Sequence, residues 1–393
     1  MVAALMRVDV LVFGGGIAGL WLLDDLRRAG FGCVLVETEA LGGLQTIGSQ
    51  GIIHGGLKYM FDGKLTPPAR CIADMPGVWR ASLAGQAEPL LAKAKVLSEY
   101  CHIWGAKSLM SPLLLLGTRL ALRTKPRPVP PAEAPAVLRR AGRILRVDEQ
   151  VIDCGSVAAE FVRRNGGRFL HGEAQVPPVF EMSGGAARSV TVMAGGVKHQ
   201  FEPAAVVFCA GQGNGGLREC AGLASSVAQR RPLKMVLVRG ALPRLYGHCI
   251  GRPKPRLTIT SNVDCAGRPV WQVGGQVAED GVGMDEGQLL ARARAELRRS
   301  LPDLNLDGLE WAAYGIDRAE AATRTGQMPD DAHIIHEENI VTAWPTKLAL
   351  APRLAQRILQ LLAPPAHAGG VVRGPAPPLA RGPWETAQWR AAC

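Results

Sequence analysis

Three glycines in this chain stand at a spacing suited to holding a pyrophosphate. Gly14-Gly-Gly16-Ile-Ala-Gly19 has the form GxGxxG, and Glu37 follows downstream. Gly14 permits a tight turn, Gly16 lets a phosphate reach the backbone, and Gly19 lets a helix pack against a strand. The amides of Ile17 and Ala18 would then open a helix whose positive end favours the phosphate charge. Glu37 is placed to accept hydrogen bonds from ribose hydroxyls. The pattern predicts a bound dinucleotide over its alternative, a tight turn with no ligand. By itself it fits a nicotinamide and a flavin cofactor equally.

The flanking elements are what such a motif needs. VDVLVF (8–13) reads as a buried strand, residues 17–28 have helical spacing stopped by Gly30, and CVLVE (33–37) is a second strand. A right-handed crossover closes these into a βαβ unit. Glycine then recurs from Gly42 to Gly56, too often for a regular element, which predicts a loop whose backbone approaches something closely. Further on, a helix is expected over 153–165 and a buried strand at AAVVFCAG (204–211). Alternating apolar and polar residues over 233–277 predict an antiparallel sheet with one face in solvent. Helices are expected over 288–300 and 349–362. A second glycine cluster, GQGNGG (211–216), has the wrong spacing for another dinucleotide fold.

Composition sets the outer bounds. With 393 residues, 47% hydrophobic and 20% charged, the chain is a globular protein large enough for two lobes. The formal charge of +11 would concentrate anions, yet aromatics are only 5%, too few to stack many bases. A dinucleotide-containing RNA-modifying protein is therefore the weakest reading, and no nucleic-acid partner is expected. The nine cysteines form no CxxC pair and read as reduced thiols of a cytoplasmic protein. No metal site is expected. The apolar start is interrupted by Asp9 and the glycines, so it reads as strand and turn rather than signal peptide. Leu109–Leu122 is too short to span a bilayer, while the basic run Arg119, Arg123, Lys125 and Arg127 leaves peripheral contact with anionic lipid at the inner membrane face open.

Four further blocks carry a family resemblance. GSQGIIHGGLKY (48–59), IDCGSVAAEFVRRNGGRFLHGEAQV (152–176), AAVVFCAGQGN (204–214) and TAWPTKLALAPRLAQ (342–356) follow the N-terminal fingerprint in order. Together they resemble the D-amino-acid oxidase superfamily of FAD enzymes, most of all its glycerol-3-phosphate dehydrogenase and 2-hydroxyglutarate dehydrogenase branches. The resemblance implies FAD as cofactor. It places Thr38 with Glu37, Ser49, Gln50, Gly51 and His54 in the glycine loop, Val176 at the adenine, Ala210 and Gly211 at a strand end, and Thr346, Lys347 and Leu348 beside the flavin. The fold class it implies is α/β, a Rossmann-type FAD-binding domain interleaved with an antiparallel-sheet (α+β) substrate domain. Its boundaries are expected at 1–80, 145–220 and 326–363 for the FAD lobe and 81–144 and 221–325 for the substrate lobe. Residues 364–393 are expected to form a disordered tail. The chain departs from the family where Trp344-Pro345 replaces a usual glycine and Ala349 a usual threonine, and where the GxRP substrate motif becomes Gly315-Ile-Asp-Arg318-Ala.

These residues have chemistry to do. A reduced flavin carries negative charge, which a cation such as Lys347 stabilises. His54, between Ile53 and two glycines, is an acid or base, a covalent attachment point, or a hydrogen-bonding loop residue. Arg318 is expected to hold a substrate carboxylate or phosphate. Tyr59, Tyr246 and Tyr314 either orient the substrate or form walls. The expected function is an FAD-dependent oxidoreductase taking a hydride from a small anionic CH-OH substrate, such as a 2-hydroxy acid or a polyol phosphate. The alternative is an amine or amino-acid oxidase of the same superfamily. The electron acceptor, whether oxygen, a quinone or a protein, is left open.

Overall fold

A computed structural model describes residues 5–56, 67–105, 126–130, 132–251, 255–367 and 369–391. Tyr59, the apolar run 109–122 and most of the basic run lie outside the described residues.

The N-terminal strand β1 (Met6–Phe13) is buried from Val8 onward, flanked in parallel by β2 (Cys33–Glu37) and the strand Val197–Phe208. Between β1 and β2 runs the helix α1 (Ile17–Arg28), which buries Leu20 and Leu23 in the core it shares with the sheet and packs Trp21 against Trp79 and Phe161. Apolar residues on both sides of β1 match a strand covered on both faces. The strand order across this first sheet is His333–Glu337, Ile340–Trp344, Val197–Phe208, β1, β2, Phe169–His171, and the hairpin Val179–Ser183 with Ala186–Ala194 branches from it. The helix Cys154–Arg164 packs beside α1 and is capped by Asp153, whose carboxylate accepts from Ser156 N.

A second sheet of nine strands is antiparallel except where Gly247–Cys249 runs parallel to Cys101–Gly105. Its centre is the long pair Ala228–Arg239 and Glu310–Ala321, and one face is covered by the helix Glu286–Ser300. That helix starts two residues earlier than its apolar period suggests because Asp285 and Gln288 form a capping box.

Two expectations are corrected here. The polar residues alternating along 257–274 do not face solvent: Thr258, Thr260 and Gln272 are all buried. The side chains of Thr258 and Gln272 bond within the sheet, to His248 and Tyr314, and Gln50 of the first lobe covers the backbone there, its Nε2 donating to the carbonyls of Thr258 and Gln272 at 2.9 and 3.0 Å. A polar face covered by another part of the chain has the same periodicity as one that faces water.

The expected disorder of the tail is also overturned. Residues 364–367 and 369–391 run back over the first lobe and end on the second sheet. Ala366 N and His367 N donate to Asp9 at 2.9 and 3.0 Å. Leu41 N donates to the Pro378 carbonyl and Ala380 N to the Leu41 carbonyl. Arg390–Ala391 pairs with Glu310–Ala321, and Trp389 lies under the Arg239 guanidinium at 4.1 Å. Backbone hydrogen bonds to a neighbour order a Pro- and Gly-rich strap that has no internal period to reveal it. Deleting the chain beyond Pro364 removes two of the three amides that stabilise the buried Asp9 carboxylate, the third being Gly32 N. The expected cost is at least about 3 kcal/mol, seen as a melting temperature lower by several degrees. An unchanged melting curve would show that the strap carries no stability.

The described cysteines are all free thiols. No helix among the described residues is long and apolar enough to cross a membrane.

Candidate active site

The glycine fingerprint sits where β1 meets α1. Gly14 adopts φ +102°, and a β-carbon there would overlap the backbone of Ala210. At Gly19 a β-carbon would strike the Gly14 carbonyl oxygen, so the helix can approach the turn only with glycine. Gly16 is different: a β-carbon would meet only the Thr46 hydroxyl, at 3.3 Å. The surface above Gly16 is thus a cradle that a side chain would fill. It opens on the N-terminus of α1, which no side chain of the N-cap residue closes.

Glu37 closes one side of this cradle. Its carboxylate accepts from Gly15 N at 2.6 Å and from Thr38 N and Glu39 N at 2.8 Å each. Thr46, which sequence reasoning passed over in favour of Ser49, accepts from Ile17 N at 3.0 Å while buried. Its signal was its place in the glycine-rich loop that faces the helix. Ala210 and Gly211 end the strand Val197–Phe208 against Gly14, with Ala210 N donating to Asn214 Oδ1. Val176 lies on a turn past Phe169–His171, its amide donating to the Glu173 carbonyl and its side chain exposed. These residues fit a dinucleotide: amides and a helix terminus for the pyrophosphate, an acid for the ribose, and only the Thr46 hydroxyl close to Gly16.

From Gln45 to His54 the loop runs between the two lobes and meets the second sheet at successive steps. Gln45 Oε1 accepts from Ala319 N at 3.1 Å. The Gly48 carbonyl accepts from Tyr314 OH at 2.8 Å, and that hydroxyl accepts from Gln272 Nε2 at 2.9 Å. With both hydrogen-bonding roles used and its pKa pushed far up by burial, Tyr314 ties the lobes together. Tyr246 packs against a small apolar cluster around Ile52 and Ile103. Ser49 Oγ donates to the Thr46 carbonyl, and Gly51 takes the left-handed conformation the loop needs there.

At the loop's end His54 meets a second polar group. Its Nδ1 lies 3.4 Å from Glu149 Oε2, and the other oxygen of Glu149 accepts from Gly55 N at 2.6 Å. His248 stacks obliquely on His54 with ring centroids 5.4 Å apart, its Nδ1 2.9 Å from Thr258 Oγ1. Neither Glu149 nor His248 was visible from sequence. Glu149 lies in the turn between the strands Arg143–Val147 and Val151–Ile152, His248 lies on the strand Gly247–Cys249, and the two share no local motif.

Arg318 lies on the same face of its strand as Tyr314 and Ile316, the face that meets the loop. Its guanidinium donates to Glu279 at 3.2 Å and to the Arg231 carbonyl at 3.3 Å. Burial pulls its pKa down, the neighbouring Arg231 adds to this, and Glu279 opposes both. Arg231 is itself bound in bidentate fashion to the fully buried Glu320 at 2.7 Å. The charge of Glu320 reaches both Arg318 and Lys347, so the two cations share one electrostatic neighbourhood.

Lys347 is 9% exposed and donates to the Asp330 carbonyl at 3.2 Å. Burial lowers its pKa against the opposing pull of Cys71, Asp330 and Asp331. Thr346, with φ +63°, turns the chain into this position, and its hydroxyl donates to the Asp331 carbonyl at 2.8 Å. A non-glycine residue held there costs about 1 to 3 kcal/mol, a cost that tends to persist at functional sites. Leu348 then opens a short 3-10 turn leading into the helix Ala351–Leu359.

A sheet with a parallel centre and an open phosphate cradle, joined through one polar loop to an antiparallel sheet that bears Arg318, has the layout of a dinucleotide-dependent oxidoreductase. The chain is 39% identical over 392 residues to the probable FAD-dependent oxidoreductase PA4991 of Pseudomonas aeruginosa, covering 97% of this chain and 98% of the relative. The crystal structure of that protein matches with a TM-score of 0.82 at 36% identity, over 97% of this chain and 98% of the other. The fold is shared with glycine oxidase of Geobacillus kaustophilus, at TM-score 0.63 and 16% identity over 93% and 96% of the two chains. It is shared with FAD-bound L-alpha-glycerophosphate oxidase of Mycoplasma pneumoniae, at TM-score 0.63 and 13% identity over 94% and 99%. No family model matches. The chain belongs to the FAD-dependent oxidoreductases, with the fold of the D-amino-acid oxidase type, and FAD is its cofactor.

Proposed function

We infer that this oxidoreductase acts on a small anionic substrate bearing a CH-OH group, a 2-hydroxy acid or a polyol phosphate. The observation that carries this reading is the His54–Glu149 pair. Bound FAD supplies the hydride acceptor. Removing a hydride from an alcohol carbon also requires the hydroxyl proton to leave, whereas a neutral amine already has a lone pair to stabilise the developing cation. A histidine whose Nδ1–H points at a buried carboxylate has its lone pair on Nε2, the arrangement of a general base. The carboxylate also stabilises the imidazolium that forms. Glu149 is itself fixed by Gly55 N, so the histidine is oriented from its own loop.

In this reading Arg318 exchanges Glu279 for the substrate's carboxylate or phosphate, and Lys347 stabilises negative charge on the reduced cofactor. Peripheral contact with anionic lipid belongs to the same proposal, through the basic run at 119–127. Anaerobic mixing of the holoenzyme with hydroxy acids, polyol phosphates and amino acids tests the substrate class, since only a true reductant bleaches the flavin. Bleaching by amino acids alone would replace this reading with the amine-oxidase one, whose fold is shared by glycine oxidase.

The two cations should separate experimentally. A desolvated arginine on an anion contributes about 2 to 5 kcal/mol. Because Arg318 must first leave Glu279, Arg318→Ala is expected near the lower end, about 30-fold in kcat/KM, with normal flavin content. Lys347→Met should slow flavin reduction by every substrate, and weaken sulfite binding to the flavin, without releasing FAD. Sulfite affinity unchanged in Lys347→Met would remove the charge-stabilising role from that lysine.

A further inference from the structure

We propose that His54, Glu149 and His248 form a binding site for a divalent cation of the zinc class, and that occupancy of this site switches the enzyme off. One ligand atom from each of the three residues lies within 4.8 Å of the other two. A tetrahedral zinc with ligands at about 2.0 to 2.2 Å needs its donors about 3.3 Å apart. His54 Nδ1 and Glu149 Oε2 already stand at 3.4 Å. No separation in the set exceeds the tetrahedral value by more than about 1.5 Å, a gap that side-chain rotation can close.

The donors are also held from behind, as metal ligands are. Glu149 is anchored by Gly55 N through its other oxygen, and the His248 ring by Thr258 Oγ1. Two imidazoles and a carboxylate suit zinc better than magnesium or calcium, which prefer all-oxygen shells. Three protein donors leave a fourth position for water or a substrate oxygen. Glu149 and His248 are 2% and 3% exposed, so the ion would bind in a medium that strengthens its attraction to the carboxylate.

Binding rests on this geometry alone, while inhibition rests on the proposed role of His54, because an imidazole bound to zinc cannot take the substrate's proton. Equilibrium dialysis of holoenzyme against zinc chloride, with metal analysis, tests the first part. One zinc per chain is expected, with affinity at least about 100-fold weaker in His248→Asn and about 10-fold weaker in Thr258→Val. Flavin content serves as the folding control for both. Among the described residues the exposed thiols Cys220 and Cys265 are competing zinc sinks, and neither variant alters them. Absence of stoichiometric zinc, or equal affinity in His248→Asn, overturns the site. Zinc that binds in a His248-dependent way but leaves turnover untouched overturns the switch and the base role of His54 while keeping the site.

Discussion

Gly16→Val is expected to yield a folded protein that no longer retains FAD. The β-carbon meets only the Thr46 hydroxyl, so the turn, β1 and α1 can keep their packing. The rest of the valine side chain, however, occupies the space a pyrophosphate needs, and separates it from the amides of α1. Losing those charge-assisted hydrogen bonds should weaken FAD binding by at least about 100-fold, or about 2.7 kcal/mol. Flavin absorbance of the purified protein and its circular dichroism measure the two halves separately. Gly19→Val provides the contrast, because its β-carbon overlaps the Gly14 carbonyl and the helix itself must move. That variant should lose solubility as well as colour. A yellow Gly16→Val protein with wild-type flavin content would place the pyrophosphate elsewhere.

His54→Gln is expected to lower the rate of flavin reduction by the physiological alcohol by about 10²- to 10⁴-fold, the range for a missing general base. Glutamine keeps a polar group beside Glu149 but cannot accept a proton at neutral pH. FAD content should be normal, since the His54 ring pairs with Glu149 and stacks on His248. The effect should lie in kcat more than KM, because the interaction is made in the transition state. If His54→Gln reduces its flavin at the parent rate, the base is another group. An amine reductant unaffected by the substitution would favour the amino-acid oxidase reading over the hydroxy-acid one.

Much of the first lobe was legible because its signals are local. β1, α1 and β2 follow from an apolar run, a helical period and a second apolar run, with glycines at the turn between them. The helix Cys154–Arg164 was readable for the same reason, its start marked by Asp153, while of the strand Val197–Phe208 only the part from Ala204 onward was read. The direction of error is equally physical. The second sheet's polar face was assigned to water, and the Pro- and Gly-rich tail to disorder, because composition records only whether a group is polar or weakly structured, not what covers it. Gln50 covers the first and Asp9 anchors the second, and both partners are remote in sequence.

The sequence by itself determined that a pyrophosphate-binding βαβ unit stands at the N-terminus, and that the blocks after it keep the order of an FAD enzyme. Spacing suffices there because all parts of such a unit lie within a short stretch of chain. Only the tertiary structure decided which polar side chains meet. His54 and Glu149 are 95 positions apart, Arg318 and Glu279 are 39, and Lys347 shares the influence of Glu320 with Arg318. None of these distances repeats a helical or strand period. Sheet pairing and the crossing of one loop between two lobes bring the groups together, so the chemistry of the site is set by packing that no local pattern encodes.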